Sequence, residues 1–334
     1  DPASAVDMNN VAVGYLSGTA ATTATASTLI GSQAGSALTS GINNTAVGAF
    51  SLNTDTLGKF SVAVGNGALE RQNFTSSTNV YNTAVGYDAG SRITTGTNNT
   101  LIGGLAGDAT TTGTHNTAVG FDSLTTNTTA SGNSAFGQSS LKSNTTGTSN
   151  TGLGGQALQT NTTGSSNTAV GVLALYANTT GGSNTAVGFE ALRNNSTGTR
   201  LTAIGYEALG SNSSGNYNAA GGWKALNANT TGTHNSAWGD GSLQFNTTGV
   251  GNSALGQGAL AANTTANNNT AVGADALKIN TTGQYNTAMG VNALRSNTTA
   301  NYSVAVGFEA LKLTTTGVGN VGVGQSALYS NTTG

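Results

Sequence analysis

The sequence predicts a mainly β fold, a repetitive β-solenoid or β-roll of nineteen 17-residue coils. Three observations predict it. A marker glycine recurs at Gly14, Gly31, Gly48 and Gly65, then at Gly86, Gly103, Gly120 and every seventeenth residue to Gly324. The residues before it read as a short strand, as in Asn167-Thr168-Ala169-Val170-Gly171. The rest of each coil is rich in Thr, Asn and Gly, the residues of turns, with 50 glycines in all. A strict period of this kind means one unit stacked many times, because no single unit can bury its own apolar face.

Residues 1–9 are a short leader, and residues 10–334 form a single repeat domain. One 21-residue step separates Gly65 from Gly86, and its extra residues read as a loop inserted at about 71–81. From Asn82 fifteen coils follow without a gap. The opening Asp1, with no methionine before it, reads as a processed or partial chain, and uncapped ends suggest a longer molecule or covering partners.

With the marker glycine as position 5, position 4 is apolar in eighteen of nineteen coils, Gly221 being the exception. Position 3 is nearly always Ala, so positions 2–4 predict a strand with Val turned inward. The small Ala on the opposite face, Ala169 for example, leaves room for a second backbone and points to an oligomer. Positions 5, 8, 9 and 12 repeat at i, i+3, i+4, i+7 (Gly171, Ala174, Leu175, Asn178), which predicts a short helical turn after each strand. Acids at position 7 and bases at position 10, such as Glu190 with Arg193 and Glu309 with Lys312, suit its dipole. A second short strand is the rival, because seven residues make a marginal helix.

Ten Lys plus Arg against twelve Asp plus Glu leave no basic patch for a phosphate backbone, which argues against nucleic acid. There is no cysteine and no apolar run long enough to span a membrane. Coil-by-coil burial of a few small apolar residues barely offsets the ordering of seventeen residues, so the chain makes sense as an assembly.

Motifs for chemistry are sparse, and no catalytic, metal or cofactor residue is expected. His115 and His234 lie seven coils apart, in turns. Glu190 and Glu207 are one coil apart, but a helix-start role explains them better than glycosidase chemistry. No GxxxxGK[ST] phosphate loop occurs. Two columns are candidates for binding or modification. Phe189, Tyr206 and Trp223 occupy position 6 of three consecutive coils, an aromatic strip suited to sugar rings or to a neighbouring chain. Asn127, Asn144, Asn161, Asn178, Asn195, Asn212, Asn229, Asn246, Asn263, Asn280, Asn297 and Asn331 at position 12 each stand in an Asn-x-Ser/Thr sequon. They read either as a structural amide ladder or as an N-glycan column.

The motif Asn-Thr/Ser-Ala-Val-Gly, followed by a small-residue turn and Thr-Gly over about residues 10–334, resembles the head repeats of trimeric autotransporter adhesins. It is also similar to the repeats of bacterial and phage tail-fibre proteins that carry an endosialidase-type chaperone. The resemblance implies a homotrimeric parallel β-roll standing out from a cell surface or virion and attaching to a surface glycan or receptor. The expectation is therefore a non-enzymatic extracellular fibre or adhesin shaft, without a cofactor. A self-assembling filament subunit, stacked end to end, is the alternative.

Overall fold

The computed structural model describes residues 9–334, so the expected leader, apart from Asn9, lies outside the described residues. The chain forms two compact units, one ending at Ser166 and the other spanning Asn167–Gly334. Each is a parallel β-solenoid with one three-residue strand per coil. The strands run from Val11–Val13 to Thr151–Leu153 in the first unit and from Thr168–Val170 to Val321–Val323 in the second. Stacking is in register, residue on equivalent residue: Thr168 faces Thr185, Ala169 faces Ala186 and Val170 faces Val187.

The marker glycine is fixed by this stacking. Gly171 has φ +135°, and a Cβ there would lie 2.4 Å from the carbonyl oxygen of Gly188 in the next coil. The insertion at 71–81 is held by a second parallel pair, Gly58–Lys59 with Thr78–Asn79, and by Phe60 stacked on Tyr81 at 5.2 Å.

The expected helical turn is absent. Positions 5 to 12 are successive tight turns in which position 7 and position 9 take left-handed backbone, as in Glu190 (φ 55°) and Leu192 (φ 54°). Alternate amides close turns within the coil, Ala174 N to Gly171 O and Asn178 N to Leu175 O. The others reach neighbouring coils, Leu175 N to Ala191 O and Ala177 N to Arg193 O. A helix about 10 Å across cannot stack at the ~4.8 Å spacing of paired strands, and it would spend its amides on itself. The acid–base pairs read from the sequence do form, Glu190 with Arg193 at 3.5 Å and Asp275 with Lys278 at 3.1 Å, across turns instead of a helix.

The inward and outward faces of the strand are also the reverse of the sequence reading. The Ala of position 3 is fully buried, Ala169, Ala186 and Ala203 among them, and so are Ala174 and Leu175 on the opposite wall. The apolar residue of position 4 points out. The coil is thin, and Ala facing Ala and Leu fills it; Val on that side would not fit. Ala169 packs inside its own coil, so its small size is explained there and not by a second backbone.

Two exceptions prove the pairing of walls. Leu29 and Leu101 replace Ala at position 3, and the usual Leu of position 9 is Gly in the same coil and in the coil before. Cβ atoms on Gly18 and Gly35 would lie 2.9 and 2.7 Å from Leu29, and those on Gly90 and Gly107 would lie 2.7 and 2.8 Å from Leu101. One strand leucine does the filling that two wall leucines do elsewhere.

Candidate functional site

The polar half of the core is a pair of amide ladders. At position 1 the side-chain oxygen of Asn82 accepts from Asn99 N at 2.9 Å, and that of Asn167 accepts from Asn184 N at 3.0 Å. At position 12 the amide of Asn195 donates to Asn178 Oδ1, that of Asn212 to Asn195 Oδ1 and that of Asn246 to Asn229 Oδ1, at 2.8 to 2.9 Å. Both Asn amides of a coil also donate to the carbonyl of position 15; Asn184 and Asn195 meet on Gly198 O at 2.9 and 3.0 Å. Asparagine suits this because one short side chain carries a donor and an acceptor.

This settles the position of the sequon column. Asn127, Asn144, Asn161, Asn178, Asn195, Asn212, Asn229, Asn246, Asn263, Asn280 and Asn297 are fully buried, and only Asn331, in the last coil, is half-buried. Side chains enclosed in the core leave no room for a sugar, so the eleven buried asparagines form a structural ladder and not a glycan column. One ladder member is acidic. Asp55 Oδ2 accepts from Gln72 Nε2 at 2.7 Å, and Oδ1 accepts from the amides of Gly58 and Phe74. Burial raises its pKa above the usual carboxylate value, against the opposing pull of these hydrogen bonds.

The aromatic strip is exposed. Phe189, Tyr206 and Trp223 show 42, 44 and 49% of their surface. Phe189 and Tyr206 stack on each other with centroids 5.4 Å apart and planes at 13°, so each covers one face of the other. The Glu207 carboxylate accepts a hydrogen bond from the Tyr206 hydroxyl and raises its pKa above the ordinary phenol value. Trp223 sits differently: Lys224 Nζ lies 4.9 Å from its ring centroid, and Asp240 Oδ1 accepts from its backbone amide at 3.1 Å. Beyond it a shallow notch opens, bounded by Asp240, Gln244, Gln257, Asp275 and Lys278 and floored at Gly241 and Gly258.

A second exposed column escaped the sequence reading. Position 17 has left-handed backbone and turns its side chain outward, and there Tyr217 stacks on His234 at 4.8 Å while the Arg200 guanidinium lies 5.2 Å from the Tyr217 ring centroid. Tyr285 stacks on Tyr302 in the same column at 5.2 Å. The signal was available: aromatics one period apart share a column, whatever the local conformation. His115 is an exposed turn residue of the same kind.

The outer face of each sheet is a further column of apolar residues. In the first unit Ile30, Val85, Ile102, Phe136 and Leu153 are 36 to 48% exposed at position 4. In the second, Val187, Ile204, Trp238, Leu255 and Met289 are 36 to 55% exposed. The Gly221 exception is explained here: a Cβ on it would lie 2.2 Å from the Trp238 ring, which lies down over the glycine.

Glu190 and Glu207 do not form a free carboxylate pair, for Glu190 meets Arg193 and Glu207 meets Lys224, each at 3.5 Å. Among the described residues no three His, Cys, Asp or Glu side chains cluster as a metal site, and no helix is long and apolar enough to cross a membrane. A scan against protein-family models and a search of curated proteins found no match to the chain.

Proposed function

We propose that the chain is the shaft of an extracellular structural fibre or adhesin, self-associated side by side through the outer faces of its sheets. The observation that carries this reading is the position-4 column. It is apolar in nearly every coil although the coil does not bury it, with Ile204 44% and Leu255 55% exposed. Contiguous apolar surface of this kind marks an interface. A parallel solenoid with in-register amide ladders is a stiff element in which each coil supports the next, the property a shaft needs. Three copies is the number implied by the resemblance to trimeric adhesin heads and tail fibres, and attachment to a surface glycan or receptor follows from the same resemblance.

The test is the mass of the chain in solution by sedimentation or light scattering, with and without Ile204→Lys and Leu255→Lys. The wild type is expected at three times the chain mass and the double variant at one. A wild-type monomer at micromolar concentration would sink the reading. A mass that grows with concentration and survives the lysines would favour end-to-end filaments instead.

A further inference from the structure

We infer that the notch beside Trp223 is a binding site for a neutral oligosaccharide. This deepens the attachment part of the proposed function by naming the ligand class and the residues, and it does not depend on the number of chains. The notch is made by missing side chains. Position 7 elsewhere in this unit carries a side chain in every coil, from Leu173 and Glu190 to Glu309 and Ser326, in left-handed backbone with φ between 51° and 61°. Two consecutive coils instead have glycine, Gly241 and Gly258, both with φ 65°. The backbone does not require their lack of a side chain. A Cβ on Gly241 would meet only Gln244 Oε1, at 3.4 Å, and one on Gly258 would come within 2.5 Å of Asp275 Oδ1, the end of a side chain that can turn aside. What the glycines do is clear a trough across two coils.

The walls match a sugar. Trp223 provides an aromatic surface at one end, with Lys224 Nζ 4.9 Å from its ring centroid and 49% of the residue still exposed. Such a surface takes the C–H face of a pyranose. Asp240, Gln244 and Gln257 line the trough and offer a carboxylate and two carboxamides, a mixed donor and acceptor set suited to vicinal hydroxyls. Asp240 fixes its place by accepting from the Trp223 amide, and it has no cationic partner among the described residues. Asp275 at the other end is neutralised by Lys278 at 3.1 Å and Arg295 at 3.7 Å. An unpaired carboxylate in the trough disfavours anionic ligands, and the two carboxamides beside it suit the hydroxyls of a neutral one. From the coil of Trp223 to that of Asp275 is three coil steps, roughly 14 Å at strand spacing, room for a short run of sugar rings.

The stacked pair Phe189 and Tyr206 is not part of this site. Their faces are turned on each other, so the strip contributes through Trp223 alone.

The experiment uses the full chain carrying Trp238→Phe, so that Trp223 is the sole tryptophan; position 4 already holds Phe136 elsewhere. Cellotriose, maltotriose and tri-N-acetylchitotriose are titrated while tryptophan fluorescence is followed, with isothermal titration calorimetry on any that respond. At least one is expected to bind. Gly241→Asn and Gly258→Asn, which give position 7 the residue it has at Asn292, should weaken binding about tenfold or more while leaving the fold and the solution mass unchanged. Trp223→Ala, read by calorimetry, should do the same, since position 6 already accepts Ala274. Phe189→Ala should have no effect. Silence towards all three probes would overturn the assignment, and so would binding that the asparagines leave intact. Binding lost on Arg200→Ala but not on Trp223→Ala would place the saccharide on the other column and overturn it equally. Solution mass, measured on the same samples, reports separately on the assembly.

Discussion

The packing of one strand leucine against an opposite glycine can be exchanged for the ordinary arrangement, and the exchange tests how the core is built. Leu101 is fully buried, and its neighbours at position 3 are Ala84 and Ala118. Leu101→Ala should open a cavity and cost about 2–5 kcal/mol, the range for buried leucines. Gly107→Leu alone should also destabilise, by about 1–3 kcal/mol, because its Cβ would already lie 2.8 Å from Leu101 Cδ2. The backbone is not the obstacle. Gly107 has φ +58°, and Leu124, at the same position one coil on, has φ 54°. The double variant restores Ala facing Leu, and the two losses should fail to add by about 1–3 kcal/mol. Because a solenoid opens in pieces, a local reading is needed. Native-state exchange of the Thr100 and Gly103 amides, bonded to Asn116 O and Val85 O, provides it. A 2 kcal/mol loss should raise their opening about 30-fold. Additive single effects in the double variant would refute the idea that positions 3 and 9 fill one space.

Asp55 should give the first unit a pH dependence. Its pKa is raised in the folded chain, so the folded state holds the proton more tightly than the unfolded state. The stability it contributes is present below its unfolded pKa, near 3.8, and is lost as pH rises through the folded value. Melting of wild type and Asp55→Asn across that range should show a fall with pH that the variant lacks; parallel curves would count against it. Asn229→Ala removes one rung of the position-12 ladder and leaves Asn246 Nδ2 without its Asn229 Oδ1 partner. A loss of about 1–3 kcal/mol is expected, seen as faster exchange in the adjoining coils. Gly171→Ala combines a left-handed φ with a 2.4 Å approach to Gly188 O and should cost at least about 2 kcal/mol in chemical denaturation. By contrast Glu309→Gln, which removes a surface pair with Lys312, should leave the chemical-denaturation midpoint almost unmoved.

The period, the coil boundaries and the strand at positions 2–4 were legible in the sequence because a strict repeat forces equivalent residues into register. The helical turn was a false signal. Spacing of i, i+3, i+4, i+7 is produced here by turns that close every third residue, as Ala174 N to Gly171 O and Asn178 N to Leu175 O do. The coil repeat itself excludes a helix, since its diameter exceeds the spacing. The facing of the strand was misread because hydrophobicity ranks Val above Ala for the interior. Volume decides instead: the wall opposite already brings Leu175, and Ala169 is what fits against it. The exposed strip Phe189, Tyr206 and Trp223 was found correctly as a column, but the notch beside Trp223 was not. Its signal is negative, two glycines at position 7, and negative signals are hard to notice in a chain with 50 glycines.

The coil uses few of its seventeen positions to hold itself together. Positions 1 and 12 form the amide ladders, 3, 8 and 9 the apolar packing, and 5 carries glycine in every coil, where a Cβ on Gly171 would lie 2.4 Å from a neighbouring carbonyl. The outward positions are free by comparison, and most of them behave so: position 6 ranges from Ala274 to Trp223, and position 17 from Gly251 to Arg200. Position 4 does not. It shares the outer sheet face with position 2, which is mostly Thr or Ser, yet it stays apolar although the coil leaves Val187 36% and Leu255 55% exposed. Thr has the β-branched shape that the strand favours and would serve the coil equally well. The coil alone therefore gives no reason for the apolar column, and a partner surface does. Replacing Val187, Ile204, Val272 and Met289 by Thr should leave the ladders and their amide protection intact while abolishing self-association in sedimentation. If the threonine variant keeps its assembled mass, the column has another purpose, and the side-by-side arrangement falls with it.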